Sequence, residues 1–279
     1  MSIQGIRRKI IVTIVNVFMM IFSLTCVFPI IWMFYSSLKT QKEFSLNIIS
    51  LPQNPNLNNF VEAIRIGKMQ NYFLNSVFTT IVSVSIIVIL GFITGYFLSR
   101  FTFKGRNILY ILFLSGMLIP VHGLLIPLFI QFKTLHLLDQ RLTLILPYVA
   151  LGLPLAIFLF ESFIKSIPVE LEEAAFIDGC TLQKMLFSIL LPMCRPVLST
   201  IIIMSFLHWW NEFPFALVLI KSDKYKTLPL GLANFSGAYS TNYTQLLAGL
   251  VIATLPVIIV YFIFRKRIIQ GMTAGAVKG

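Results

Sequence analysis

Glu170-Leu171-Glu172-Glu173-Ala174-Ala175-Phe176-Ile177-Asp178-Gly179, running on to Leu191-Pro192, is a water-loving knuckle in a chain that is otherwise almost wholly apolar. Four of the ten carboxylates of the chain, Glu170, Glu172, Glu173 and Asp178, stand in it. Pro168 suits the first turn of a helix, and Glu170, Glu172 and Glu173 complement its positive end. Asp178-Gly179 stops that helix, because glycine readily takes the left-handed conformation. Thr181 can cap a second helix through about Leu190, and Pro192 marks its finish. The pattern predicts two short helices joined by a tight turn, with small residues where another protein could approach the backbone. A plain connector between two membrane helices needs neither this length nor this density of acid.

The surroundings set the solvent. Of the 279 residues 57% are hydrophobic and 11% charged, with a mean hydropathy of +0.88, so the medium is lipid. The net charge of +12 then reads as Lys and Arg gathered at the ends of membrane spans rather than as a nucleic-acid groove. Cys26, Cys180 and Cys194 match no metal-ligand spacing and read as small apolar filler. His122, His136 and His208 are isolated and read as structural. Arg7-Arg8-Lys9 opens like a signal peptide, but the apolar run continues to about Leu38 with no small-residue cleavage site, which predicts a retained first span.

A helix needs roughly 20 apolar residues to cross the hydrocarbon core. Six segments meet that length: 10–37, 72–99, 107–131, 142–164, 196–220 and 246–265. Pro120, Pro127, Pro147, Pro154, Pro214 and Pro256 predict kinks within them. Arg7, Arg8, Lys9, Arg100, Lys104, Arg106, Lys165, Lys184, Arg195, Arg265, Lys266, Arg267 and Lys278 fall on one side, 13 of the 22 basic residues. The positive-inside rule therefore places both termini and the 166–192 knuckle in the cytoplasm. Outside, a loop from about Lys39 to Asn71 carries an amphipathic stretch, Asn59–Ile64, expected to lie on the membrane interface with Phe60 and Ile64 buried. A second outer loop, about Lys221 to Thr244, has the composition of a partner-contacting surface.

Two acids fall inside the spans. Glu161 stands four residues before Lys165, a favourable pairing distance. Glu212 follows Trp209, Trp210 and Asn211 and precedes Pro214. Aromatic faces beside amide and carboxylate groups suit a polyhydroxylated ligand, so these four residues are candidates for a substrate pathway. An interhelical hydrogen-bond pair holding a partner subunit is the competing reading.

The knuckle also carries a resemblance. Glu173-Ala174-Ala175, two residues, then Asp178-Gly179, followed by Ile189-Leu190-Leu191-Pro192, resembles the EAA loop of ABC-importer permeases, in particular the MalG-like carbohydrate branch. Asn75-Ser76, Arg100-Phe101-X-Phe103-X-Gly105-Arg106, Ile119-Pro120, Ile126-Pro127-Leu128, Leu146-Pro147-Tyr148, Gly152-Leu153-Pro154 and Ser166-Ile167-Pro168 extend it. Trp210-Asn211-Glu212-Phe213, Thr227-Leu228-Pro229 and the Gly271–Gly279 tail complete it, so the likeness covers nearly the whole chain. It implies an all-α polytopic membrane protein with the six transmembrane helices of the type I ABC importer permease (MetI-like) fold, in a bacterial cell membrane.

The resemblance further implies a subunit that imports a sugar or oligosaccharide. Its implied partners are a second homologous permease, two ATP-binding cassette ATPase subunits, an extracellular solute-binding protein and membrane lipid, with no nucleic acid. The knuckle would be the coupling loop, touching the ATPase through Glu173, Ala174, Ala175, Asp178, Gly179 and Pro192, and the tail would reach toward the same ATPase pair. Cys180 departs from the small residue usual there. The chain would bind no cofactor or metal, ATP and Mg being used by the partner. The sequence agrees in holding no Gly-X-X-X-X-Gly-Lys-Ser/Thr phosphate loop and no catalytic constellation, so an enzyme is not expected. Two other classes remain: an ion- or proton-coupled secondary transporter, for which Glu212 is the one serious candidate, and a membrane scaffold, which leaves the broken helices without a purpose.

Overall fold

The computed structural model describes residues 3–65, 67–235 and 242–276, with side chains for residue 9 and for 11–65, 67–235 and 242–264. The basic residues Arg7, Arg8, Arg265, Lys266 and Arg267 and the Gly271–Gly279 tail lie outside the described side chains. No strand occurs among the described residues. Among the described residues four helices are long and apolar enough to cross a membrane: Ile11–Ser36 of α1 (Ile3–Ser36), α4 (Met69–Arg100), α7 (Ile145–Ile164) and Tyr243–Phe264 of α14 (Tyr243–Ala276). Two bent pairs raise the count to six if each is one span.

The first bent pair differs from the kinked single helix expected over 107–131. α5 (Arg106–Ser115) and α6 (Leu125–Thr134) are joined by two 3₁₀ turns about Pro120, and the helical halves stand at 92°. Ten residues rise only about 15 Å, half the hydrocarbon thickness, so neither half crosses alone. Proline removes one N–H and bars the preceding residue from the helical region, which turns a kink into a break. The second pair, Leu182–Met193 and α11 (Arg195–Trp210), bends by 79° around Cys194.

The chain forms two compact units. The first draws on residues up to Met69 and on Leu232–Thr254. In it Thr40 caps α2 (Gln41–Leu46), and α3 (Asn58–Arg65) follows. Over its most apolar stretch α1 buries none of its side chains within the chain. Its end is stitched to the loop that follows: Trp32 Nε1 donates to the Ile48 carbonyl at 3.0 Å and Tyr35 to Ile49 at 2.7 Å. Lys39 is fully buried, donating to the Asn47 and Ile48 carbonyls at 3.1 and 3.0 Å. Burial pulls its ammonium below the usual lysine range, against the opposing pull of Glu43. On α3 the face buried in the protein is Asn59 and Ala63, while Ile64 stays outward and Phe60 is half-buried. Asn59 explains that choice: its amide donates to the Ser37 and Lys39 carbonyls at 2.7 Å each and its oxygen accepts from Thr244.

The second unit comprises Gln70–Gly231 and residues from Leu255 onward. Its centre is α4 packed on α7. A Cβ added to Gly91 would lie 2.7 Å from the Ala156 Cβ, and one added to Gly95 would lie 2.7 Å from the Phe160 Cβ. Gly91-Phe92-Ile93-Thr94-Gly95 is thus a small-XXX-small seam that lets two backbones meet closely, as membrane helices do where water supplies no hydrophobic drive. At one end of this unit Asn75 donates to the Lys224 and Lys226 carbonyls at 2.8 and 3.0 Å, and Ser76 accepts from the Leu228 N–H at 2.7 Å. Two separated pieces of the sequence pattern, Asn75-Ser76 and Thr227-Leu228-Pro229, therefore meet, the latter at the start of α13 (Leu228–Leu232).

Candidate coupling loop and membrane cavity

α8 (Glu170–Ile177) ends in a full Schellman motif. Gly179 N donates to the Phe176 carbonyl and Cys180 N to the Ala175 carbonyl, both at 3.0 Å. Gly179 has φ +78°, the left-handed region, and a Cβ there would meet no described atom within 4 Å. The backbone, not crowding within the chain, is what calls for glycine. Thr181 then caps α9 (Leu182–Lys184) by accepting from the Lys184 N–H.

The second helix does not stop at Pro192. It widens into a π segment at Met185–Leu190 and runs on through α10 (Leu191–Met193), with half-buried Pro192 inside it. Pro192 has no N–H to give the preceding turn, and the wider Leu191 N–H to Leu186 carbonyl bond absorbs the mismatch. The direction changes only at Cys194, which is free and buried.

The acidic face is narrower than the sequence implied. Glu173, Ala174, Asp178 and Gly179 are exposed, beside Ile177 at 86% and Phe176 at 48% exposure. Ala175 is turned inward and packs in the core, so it is removed from the candidate contact surface. A helix of eight residues presents one face outward, and Glu172 and Ala175, three apart, share the other. Glu172 is buried against α4, where Arg100 Nε meets its carboxylate at 2.6 Å and Arg100 Nη2 donates to the Ile167 carbonyl at 2.8 Å. Tyr96 hydrogen-bonds the same carboxylate. Glu161 pairs with Lys165 at 2.5 Å, and Arg106 reaches it as well at 2.9 Å. Both arginines belong to the Arg100–Arg106 stretch, whose partners could not be read from spacing because they lie 72 and 55 residues away.

Within the membrane portion the two tryptophans sit differently from the sequence expectation. Trp209 is buried and stacks face to face on Tyr148 with ring centroids 4.4 Å apart. Trp210 is buried, stacked on Phe206 at 5.5 Å and met edge-on by Phe73. Neither ring presents a free face to a sugar. Glu212 is buried too: it accepts from the Tyr148 hydroxyl at 2.5 Å and from the Phe215 and Ala216 N–H groups at 2.5 and 3.3 Å. It thereby satisfies the open first turn of α12 (Pro214–Leu219), whose first residue is a proline with no N–H to lose. Its hydrogen bonds lie within the chain, so a role in holding a partner is not needed to explain it.

Asn211 is the exposed member of the four. It lines a cavity of about 440 Å³ with Val121, His122, Leu207, His208 and Pro214, and with the edge of Glu212. His122 and His208 read as isolated in the sequence because they are 86 positions apart, and the fold brings both to one cavity. No group of His, Cys, Asp or Glu suited to a metal ion occurs among the described residues.

Among the described residues, helices long and apolar enough to cross a membrane, two bent pairs and a solvated knuckle mark an integral membrane protein. A model of the family described as binding-protein-dependent transport system inner membrane component matches residues 87–274. Similar proteins include the ABC transporter permease protein ORF2 of Caldicellulosiruptor sp. strain Rt8B.4, 40% identical over 94% of this chain and 96% of that one. Another is the arabinooligosaccharides transport system permease protein AraQ of Bacillus subtilis, 34% identical over 95% of each chain. Among solved structures, a chain of a bacterial ABC transporter involved in import of the acidic polysaccharide alginate is 25% identical with a TM-score of 0.81, over 93% of this chain and 97% of that one. The chain belongs to the family of inner-membrane components of binding-protein-dependent transport systems and has the ABC importer permease fold. It is a permease component and not an enzyme.

Proposed function

We propose that this chain forms one half of the membrane pore of an importer that carries a sugar or oligosaccharide. An extracellular binding protein delivers the sugar, a second, homologous permease completes the pore, and two ATPase subunits bind ATP and Mg and drive the cycle. The substrate class rests on relatives such as AraQ, named for arabino-oligosaccharides. Six membrane crossings with both termini cytoplasmic put the 166–192 knuckle on the ATPase side.

The observation that carries the reading is the knuckle itself. A left-handed Gly179 and an outward Glu173-Ala174 edge, flanked by exposed Phe176 and Ile177, make a small, partly apolar surface, and its helix is pinned from behind through Glu172. Such a surface fits a groove in a partner that pushes on it. Glu173, Ala174, Asp178 and Gly179 make that contact, and Pro192 shapes the far arm. In the membrane, Asn211 faces the sugar's route, with buried Glu212 at the cavity wall and Trp209 and Trp210 packed behind them. A secondary transporter needs a carboxylate free to exchange a proton or ion, whereas Glu212 is occupied by three donors.

Purification of the tagged chain from its native membranes in mild detergent tests this. An ATPase and a second permease should co-purify. Recovery of the chain alone, able to move a sugar into liposomes without ATP, would replace the importer with a secondary transporter.

A further inference from the structure

A coupling loop that merely touches an ATPase moves nothing unless its motion reaches the membrane helices. α8 is joined by the chain to α7 on one side and, through the π segment, to α11 on the other. α4 is not covalently adjacent to it, yet α4 is the helix on which α7 packs through Gly91 and Gly95. We propose that Arg100, at the last turn of α4, is the link that makes α4 follow the coupling helix, with Glu172 as its grip. This rests on the knuckle being the ATPase contact.

The geometry is that of a clamp rather than a chance surface pair. The guanidinium holds two points of the knuckle at once: the Glu172 carboxylate through Nε and the Ile167 carbonyl through Nη2, five residues earlier. It therefore grips the turn that enters α8 as well as the helix itself. The side chains of Arg100 and Glu172 are 10% and 7% exposed, so water does not screen them. A planar fork fixes direction as well as distance, which a lysine ammonium cannot do. Arg106 repeats the arrangement a few residues on, donating to the Leu98 carbonyl and to Glu161 near the end of α7. The connector between α4 and α5 is thus tied at one end to the knuckle and at the other to α7. Arg100 and Glu172 act as positioning residues: neither need touch the sugar or the ATPase.

The test follows motion in the assembled complex. Native cysteines are replaced, and spin labels are placed at Phe97, which is 39% exposed on α4, and at Leu171, which is 44% exposed on α8 and outside the assigned ATPase contact. Distances are measured without nucleotide and with ATP and vanadate. With Arg100 and Glu172 intact, the distribution between the two labels stays single and unshifted across the two states. In Glu172→Gln and in Arg100→Lys it shifts or splits on adding nucleotide, because α8 moves and α4 lags. Arg100→Lys keeps the charge and serves if the harsher variant does not assemble. The Glu172→Gln/Arg100→Lys double variant should be no worse than either single one, as for two halves of one link.

A shift in the intact protein, or variants indistinguishable from it, would overturn the clamp. Co-purification of the ATPase is scored on every sample, so loss of docking in the intact protein is read separately, as failure of the underlying assignment.

Discussion

Replacing Glu212 by alanine strands three donors at once. The Tyr148 hydroxyl loses its 2.5 Å acceptor, and the Phe215 and Ala216 N–H groups lose theirs at 2.5 and 3.3 Å. Tyr148, Phe215 and Ala216 are each no more than 1% exposed, so water cannot replace the carboxylate. A buried donor left unpaired costs about 1–3 kcal/mol, which for two good bonds and one long one gives about 3–6 kcal/mol. In a membrane protein the unfolded reference state also finds partners for these groups, which lowers the net difference, so we expect ~2–4 kcal/mol. Glu212→Gln is a different perturbation. Its carbonyl can still accept from Phe215 N–H, and its amide can donate to the Tyr148 oxygen once that hydroxyl turns, leaving a loss of about 1 kcal/mol.

The assay is thermal unfolding in detergent of the purified protein with exposed Cys26 and half-buried Cys180 replaced by serine, followed by a thiol-reactive dye that reads the exposure of buried Cys194. The order of stability should be wild type, then Gln close behind, then Ala well below. Alanine equal to wild type would refute the capping role. Glutamine as damaging as alanine would show that the charge itself is required and would revive ion coupling.

Gly95→Ala puts a Cβ 2.7 Å from that of Phe160 and 3.1 Å from the Glu161 nitrogen, an overpacking worth about 1–3 kcal/mol, and should lower the yield of monodisperse protein on size exclusion. Gly105→Ala, with open space around it, should cost only the strain of its positive φ, about 1–2 kcal/mol, and a larger loss than at Gly95 would contradict the packing argument. Gly179→Ala should keep the ATPase bound at reduced yield whereas Gly179→Asp should release it, because the turn tolerates a Cβ sterically and the docking surface does not tolerate charge; equal recovery with both would sink the assignment. Burial pushes the Asp139 carboxyl up, but donation from the Ser222 and Lys221 N–H groups and the Ser222 hydroxyl, with the Lys221 charge, carries it below the ordinary aspartate value. Its stabilisation is therefore present above the unfolded value near 3.8 and is lost as pH falls through the lower folded value. Protease nicking near Ser222 should accordingly be unchanged from pH 7 to pH 5 and rise only in stronger acid, with Asp139→Asn raising it at every pH.

Much of the fold was legible because membrane helices announce themselves by length and composition. The knuckle was legible for the opposite reason: acid, alanine and Gly179 stand out against lipid-facing sequence, and each has a local role in α8 and its Schellman turn. What spacing could not give was which side of an apolar helix faces protein. In water polarity marks the outer face; in lipid both faces are greasy, so Trp209 and Trp210 read as candidate sugar platforms when they are packed wall. Gly91 and Gly95 did carry a signal, four apart in α4, that small residues mark close helix approach. Long-range pairings were hidden for a simpler reason. Arg100 and Glu172, Asn75 and Lys224, and Tyr148 and Glu212 meet only after the helices are in place. The last pair joins two pieces of sequence, Leu146-Pro147-Tyr148 and Trp210-Asn211-Glu212-Phe213, that had looked like separate marks of one family. Lys39 carries no such signal either: it folds back on the Asn47 and Ile48 carbonyls, a contact no spacing shows.

The central claim is that the outward edge of α8 is where an ATPase engages this permease. Neighbouring alanines offer the most direct measurement, because Ala174 is exposed and Ala175 is buried on the opposite face. Single cysteines at each position, in membranes carrying the whole transporter with native cysteines replaced, are treated with a short photoactivatable thiol cross-linker. The account predicts a product with the ATPase from Ala174→Cys and none from Ala175→Cys. Cross-linking from both positions, or from neither while the complex remains intact on purification, would contradict it.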